Sequence, residues 1–263
     1  MAIKVLSLHY TFDCNLNCSF CYMRAKQDPT KPVKDFDFFM GFPAVAKELK
    51  IPQIALGGGE PTLYPEFIER FAEECKTQGI IVNITTNGAN IDETTIHNFK
   101  DITMISFSLD KEKIKTQKDL DAITKKMDLV ANNGILVGAN VLLDNSDIKD
   151  IYSLISSLKK HAKNIYLLQK KPSDLKDYDG LKSKLLAMSM LFKNIYVDDS
   201  LQLSLGHKDC CSKGRDIISV NPHGDASFCS FDKEISTLNT ANDLIDVVKT
   251  NYPQEKTTKC PFL

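Results

Sequence analysis

Cys14, Cys18 and Cys21 place three thiols in one short stretch, spaced Cys-x3-Cys-x2-Cys, with Asn15, Asn17 and Ser19 among them and Phe20 just before the third. Thiolates at this spacing bind metal. Structural zinc would want a fourth ligand, and the only histidine nearby, His9, lies back in the preceding apolar run. Three cysteines can instead hold a cubane iron–sulfur cluster and leave one iron open to a further ligand. A second group, Cys210, Cys211, Cys229 and Cys260, lies near the C-terminus, where Cys211, Gly224 and Cys229 follow a Cys-x12-Gly-x4-Cys pattern. Four thiolates there suit zinc or a cluster. Cys75, inside an amphipathic stretch, reads as a small buried thiol.

Two further features are not cysteines. In Gly57-Gly58-Gly59-Glu60-Pro61 the glycines let a ligand approach the main chain, and Pro61 starts the next segment. The run lacks the further glycine that a dinucleotide fingerprint needs at a helix start. In the apolar run ending at Leu109, side chains alternate, so Ile105, Phe107 and Leu109 face one way and Ser106, Ser108 and Asp110 the other. Polarity grows toward the C-terminal end, where a β-α barrel carries its active site. Gln169 and the Lys170-Lys171 pair end another run, as a solvated charge pair or a contact for an acidic substrate.

These residues are positioned by a β-α alternation. Strands are predicted over Val5–Tyr10, Gln53–Leu56, Ile80–Thr86, Ile102–Leu109, Ile135–Leu143 and Asn164–Gln169. Helices are predicted over Phe38–Leu49, Pro65–Gln78, Leu120–Asn132, from an Asp147 N-cap to about Lys160, and over Tyr178–Lys193. Such an α/β order requires parallel neighbours and right-handed crossovers, as in an open doubly wound sheet or a whole or partial barrel over residues 1–195. After Phe192 the pattern changes. Ile195–Leu205 reads as extended, Ile217–Asn221 and Ala226–Phe231 as a hairpin across Pro-His-Gly-Asp, and Asn242–Thr250 as a short helix. Residues 196–263 thus form a small β-rich domain with little core, which bound metal would help to order.

With 263 residues, 43% of them apolar, the chain is not a disordered one. Thirty-three basic against thirty-four acidic residues give no overall field toward nucleic acid or an anionic membrane. The first residues hold too few apolar positions for a signal peptide, and no apolar run is long enough to span a bilayer. A cytoplasmic protein is expected, whose eight cysteines serve metal or redox chemistry and not disulfides.

The Cys14-x3-Cys18-x2-Cys21 motif after the first strand, with Phe20 before its last cysteine, resembles the radical S-adenosylmethionine (SAM) superfamily. The resemblance implies a partial (β/α)6 barrel and a 4Fe-4S cluster on these three cysteines. The open iron of that cluster chelates the amino and carboxylate groups of SAM, and one electron from it yields a 5'-deoxyadenosyl radical. Gly58, Gly59, Glu60 and Pro61 look like the family's Gly-Gly-Glu-Pro segment, which holds the SAM amino group. Ser108 and Asp110 match positions that contact the carboxylate or ribose. Asn87, in Thr85-Thr86-Asn87-Gly88, and Asn140 match positions around the ribose and adenine, and Phe20 joins the cofactor site.

The C-terminal pattern resembles the twitch domain, a shortened relative of the SPASM domain, and implies a second, auxiliary 4Fe-4S cluster. Cys229 and Cys260 would be ligands with Cys210, Cys211 or both. Adjacent side chains on an extended strand point oppositely, which favours Cys211. Three thiolates leave an iron open to substrate or to His207, and four close the cluster for electron transfer. The family implies hydrogen abstraction from a ribosomally made peptide or from a small molecule, and a flavodoxin- or ferredoxin-type electron donor. Cys14 comes too early for a fused N-terminal recognition domain, so a peptide would need a separate recognition protein or would bind directly. The alternative from another class, a two-cluster electron carrier or regulator, has no need of Gly58–Pro61 or of Ser108 and Asp110. No membrane or nucleic-acid partner is expected.

Overall fold

Alternation of buried and partly exposed side chains makes strands of Val5–His9 (β1) and Gln53–Gly57 (β2), whose Leu6, Leu8, Ile54 and Leu56 are almost free of solvent. The computed structural model describes residues 3–143, 151–171, 176–207, 211 and 215–251. Between β1 and β2 lie the helices Tyr22–Ala25 (α1), Phe36–Met40 (α2) and Phe42–Glu48 (α3). The single helix predicted over Phe38–Leu49 is two. Asp35 caps α2 through the Phe38 amide at 2.9 Å, and Pro43 has no amide hydrogen for the Phe39 carbonyl, so the first helix stops. Pro65–Thr77 (α4) and Ile81–Thr86 (β3) follow, and α4 buries Phe67, Ile68, Phe71, Ala72 and Cys75.

Met104–Leu109 (β4) leads to Gln117–Asn132 (α5), which starts earlier than predicted because Thr116 and Asp119 form a reciprocal capping box. Leu136–Leu143 (β5), Ile151–Leu158 (α6), Asn164–Gln169 (β6) and Tyr178–Leu191 (α7) complete the alternation. Asp147 lies outside the described residues. The extended stretch predicted over Ile195–Leu205 is extended only at Ile195–Val197 (β7). Asp198 accepts the Leu201 amide at 3.0 Å and the Ser200 hydroxyl at 2.5 Å, which starts a helix over Asp199–Ser204 (α8). Ile217–Val220 (β8) and Asp225–Ser227 (β9) form the predicted hairpin, followed by Ser236–Thr237 (β10) and Asp243–Asn251 (α9).

The described residues fall into two compact units, 3–104 with 215–251, and the remainder from 105 to 211. In the first the strand order is β10-β9-β8-β1-β2-β3. Its β1 runs parallel to both β2 and β8, with Leu6 opposite Ile54 on one side and Ile218 on the other. Only β9 and β10 run antiparallel to their neighbours. In the second the order is β4-β5-β6-β7, with β6 parallel to β5 and to β7. The fold is α/β with parallel strands predominating, as the sequence predicts. No helix among the described residues is long and apolar enough to cross a membrane.

Candidate functional site

β1 runs into the cysteine loop, and the loop's entrance is zipped to the glycine run after β2. Gly59 N donates to the Thr11 carbonyl and Glu60 N to the Asp13 carbonyl, each at 2.7 Å. Both glycines are required there. Gly58 sits at φ 146°, and a Cβ on Gly59 would lie 2.2 Å from the Asp13 oxygen. Side chains extend the zipper, since Tyr10 Oη donates to the Pro61 carbonyl at 2.5 Å and Tyr64 Oη to an Asp13 carboxylate oxygen. Beyond it Cys14 is exposed, while Cys18, Phe20 and Cys21 are half-buried. The Leu16 amide reaches Cys14 Sγ at 3.4 Å, and the Cys21 amide donates to the Cys18 carbonyl at 3.3 Å. The thiols share the loop without being gathered: no three His, Cys, Asp or Glu side chains among the described residues stand close enough to hold a metal ion. As a donor set, three thiols between a fixed entrance and α1 fit a cluster that draws them together on binding.

Glu60 organises the adjoining loops. Its buried carboxylate accepts Thr62 Oγ1 (2.5 Å), the Thr62 amide (3.0 Å) and Thr86 Oγ1 (2.6 Å) on Oε1, and the Asn87 amide (2.7 Å) on Oε2. Asn87 Nδ2 donates to Asn15 Oδ1 at 2.8 Å, and Asn15 Nδ2 donates to Asn90 Oδ1 at 3.2 Å. Gly58, Gly59, Glu60 and Asn87 thus stand around the cysteine loop in one unit. Thr86, Asn15 and Thr62, the last of which the sequence does not single out, hold them there.

Ser108, half-buried, and Asp110, buried, end β4 in the second unit. Lys113 spans both, donating to Ser108 Oγ at 3.0 Å and to its carbonyl at 3.1 Å, with its ammonium 2.6 Å from Asp110 Oδ2. Asp110 Oδ1 accepts the Glu112 and Lys113 amides. Asn140 is half-buried in β5, opposite Tyr166 of β6. Gln169 is buried and bonded to Tyr178 and Ser204, and Lys171 pairs with Asp198 at 3.6 Å, so both have structural partners in their own unit. Of the C-terminal cysteines, Cys210 and Cys260 lie outside the described residues. Cys211 is half-buried in the second unit and Cys229 half-buried in the first. Cys75 is fully buried, and burial pushes its thiol up to about 12, as suits an inert core residue.

His9, at the end of β1, is a buried imidazole whose Nε2 lies 3.0 Å from Ser230 Oγ and 3.3 Å from Ser7 Oγ. Burial, aided by the Lys26 charge, pulls its pKa down from 6.5 to about 4. Below pH 6.5 the unfolded chain takes up a proton that the folded chain refuses until about pH 4, so stability falls with pH across that window. The expected loss between pH 7 and pH 5 is about 2 kcal/mol. Denaturant titrations of the parent and of His9→Gln at the two pH values check this. The gap between the two proteins should change by that amount, and a gap independent of pH would contradict it.

Residues 8–131 match the Radical SAM superfamily. An uncharacterized protein of Methanocaldococcus jannaschii is 28% identical over 208 residues, covering 72% of this chain and 69% of its own. An S-adenosylmethionine-dependent nucleotide dehydratase of a Thermoplasmatales archaeon is 26% identical over 163 residues, 58% of each chain. Among solved structures, Streptococcus suis SuiB bound to precursor peptide SuiA aligns over 96% of this chain with a TM-score of 0.76 at 16% identity. SuiB bound to S-adenosylmethionine aligns over the same share with 0.74 at 17% identity. This chain spans 65% of the peptide-bound SuiB chain and 64% of the other, and the likeness shows a shared fold.

Proposed function

We propose that the chain is a radical SAM enzyme, as the match of residues 8–131 to that superfamily supports, and that it cleaves SAM reductively and abstracts hydrogen from a peptide, modifying a ribosomally made substrate. The family implies a 4Fe-4S cluster and SAM. Cys14, Cys18 and Cys21 would hold the cluster, which when bound supplies the electron that converts SAM to a 5'-deoxyadenosyl radical. The observation that carries this reading is the zipper between the entrance of the Cys14 loop and the Gly58-Gly59-Glu60 segment, because it fixes the two stretches side by side through Thr11 and Asp13. Preorganisation of that kind lowers the ordering cost of binding.

Each group has a task. Gly58 and Gly59 let the main chain pack directly against Thr11 and Asp13 of the cysteine loop, and their segment would hold the amino group of SAM beside the cluster. Glu60 fixes the Thr62 and Asn87 amides and so shapes the loops on either side. At the end of β4, Ser108 accepts a hydrogen bond from Lys113 and keeps its own hydroxyl hydrogen to donate to the carboxylate or ribose of SAM. Lys113 also offsets the Asp110 charge, so this end of β4 does not repel an anionic group. Phe20 and Asn140 would complete the SAM site. Residues 196–263 would carry the auxiliary 4Fe-4S cluster on Cys211, Cys229 and Cys260, with Cys210 as the alternative or additional ligand. A flavodoxin or ferredoxin would supply electrons in the cytoplasm, and a separate protein would present the peptide where direct binding does not suffice.

Support for a peptide comes from the fold shared with peptide-bound SuiB. Oxidation or rearrangement of a small molecule is the second reading, favoured by the likeness to a nucleotide dehydratase. Synthetic deuterated peptides encoded beside the gene, incubated with reduced, reconstituted protein and SAM, separate the two. Deuterium in 5'-deoxyadenosine is expected with one such peptide. Deuterium transferred from a labelled nucleotide, and from no peptide, would replace the first reading by the second.

A further inference from the structure

The segment after the third cysteine, residues 22–34, has one helical turn of its own, and Met23 is its only fully buried side chain. It is nevertheless held at five points by the hairpin of β8 and β9 and the residues beyond it. Lys26 Nζ donates to the Asp232 carbonyl at 2.7 Å, and the Asp28 amide donates to His223 Nε2 at 3.1 Å. His223 Nδ1 meets the Pro32 carbonyl at 2.9 Å, Lys31 Nζ lies 3.0 Å from Asp225 Oδ2, and the Lys34 amide donates to the Pro222 carbonyl at 2.9 Å. An aromatic contact closes the first end, with Tyr22 4.5 Å from Phe231, and the His223 ring also lies 4.7 Å from Phe12, before the cysteines.

The chemistry of these contacts is specific. An imidazole that accepts at Nε2 and meets a carbonyl at Nδ1 carries its single proton on Nδ1, so His223 is neutral and both nitrogens are spent on this segment. The Asp225 side chain is only 1% exposed, and its charge is matched by Lys31, Asn221 Nδ2 at 3.2 Å and Thr237 Oγ1 at 2.5 Å. None of these turn residues is a cysteine, and none needs metal to make its bonds.

We propose that the turn Asn221–Asp225 is a metal-independent clamp on residues 22–34, with His223 and Asp225 as positioning residues for Cys21 in the first cluster site. The clamp rests on the assignment of Cys14, Cys18 and Cys21 as cluster ligands, and it assigns the C-terminal hairpin a task separate from any auxiliary cluster.

The test uses the full chain, anaerobically reconstituted, as parent, His223→Ala, His223→Gln, Lys31→Met and Cys229→Ala. Hydrogen exchange of residues 22–34, the rate of iron loss to a chelator, and the change in the reduced cluster's paramagnetic resonance spectrum on adding SAM are read together. His223→Ala should speed exchange in 22–34 and iron loss about tenfold, the loss of one buried hydrogen-bonded pair, and leave residues 53–57 and 81–86 unchanged. It should also blunt the SAM-induced spectral change. His223→Gln keeps an acceptor for the Asp28 amide and should restore most of the effect. Lys31→Met, at the exposed side of its ion pair, should give about a threefold effect confined to the same segment. Cys229→Ala should behave as the parent on 22–34. Unchanged exchange in His223→Ala, equal loosening in Cys229→Ala, or exchange raised throughout the chain would each overturn the clamp. A parent chain that binds no iron would defeat the cluster assignment alone, since exchange still reads the hairpin's hold on the segment.

Discussion

Replacing Cys14, Cys18 and Cys21 together by alanine should remove about half of the roughly eight irons bound by anaerobically reconstituted protein and abolish SAM cleavage. Three thiolates are the whole protein share of a cluster with one open iron, so no residue remains to hold it. The zipper made by Gly59 and Glu60 uses main-chain atoms of Thr11 and Asp13 and survives the change, so the variant should stay folded. Iron analysis with a circular dichroism spectrum checks both parts. Stoichiometric zinc without iron in protein purified without oxygen would refute the assignment.

Glu60→Ala should cost about 3 to 5 kcal/mol of stability, because it strands buried donors and not merely one side chain. Two main-chain amides, those of Thr62 and Asn87, and two hydroxyls, those of Thr62 and Thr86, lose their acceptor together. For a chain of this size the loss should appear as a fall in melting temperature of roughly 10 °C. Glu60→Gln keeps the shape and one acceptor oxygen, and should lose about half as much. Denaturant unfolding of the two variants beside the parent measures it, and a melting temperature unmoved in Glu60→Ala would contradict the role of Glu60 as the hub of these loops.

The cysteine motif and the glycine run were legible in sequence because each demands a residue type at a short, fixed spacing. Ser108 and Asp110 were legible for a related reason, the two-residue period of a strand. Lys113 was not, since a lysine within Lys111-Glu112-Lys113-Ile114-Lys115 reads as solvated charge until β4 is seen to end beneath it. The partners of Glu60 were hidden by distance, Thr86 lying 26 residues away along the chain. The same holds for His223, whose bonds to Asp28 and Pro32 cross more than 190 residues. Local composition also misleads where a single side chain decides the backbone. Ile195–Leu205 has the composition of a strand, yet the Asp198 cap turns half of it into α8.

The loop of Cys14, Cys18 and Cys21, zipped to the Gly58–Glu60 segment, is assigned the core of a SAM-cleaving site. Incubating reduced, reconstituted protein with SAM and measuring 5'-deoxyadenosine tests it most directly. The site as described should release 5'-deoxyadenosine with methionine in equal amounts, and the triple cysteine variant should release none. A reduced protein that holds its first cluster, binds SAM and leaves it intact over many hours, with and without candidate substrates, would contradict it.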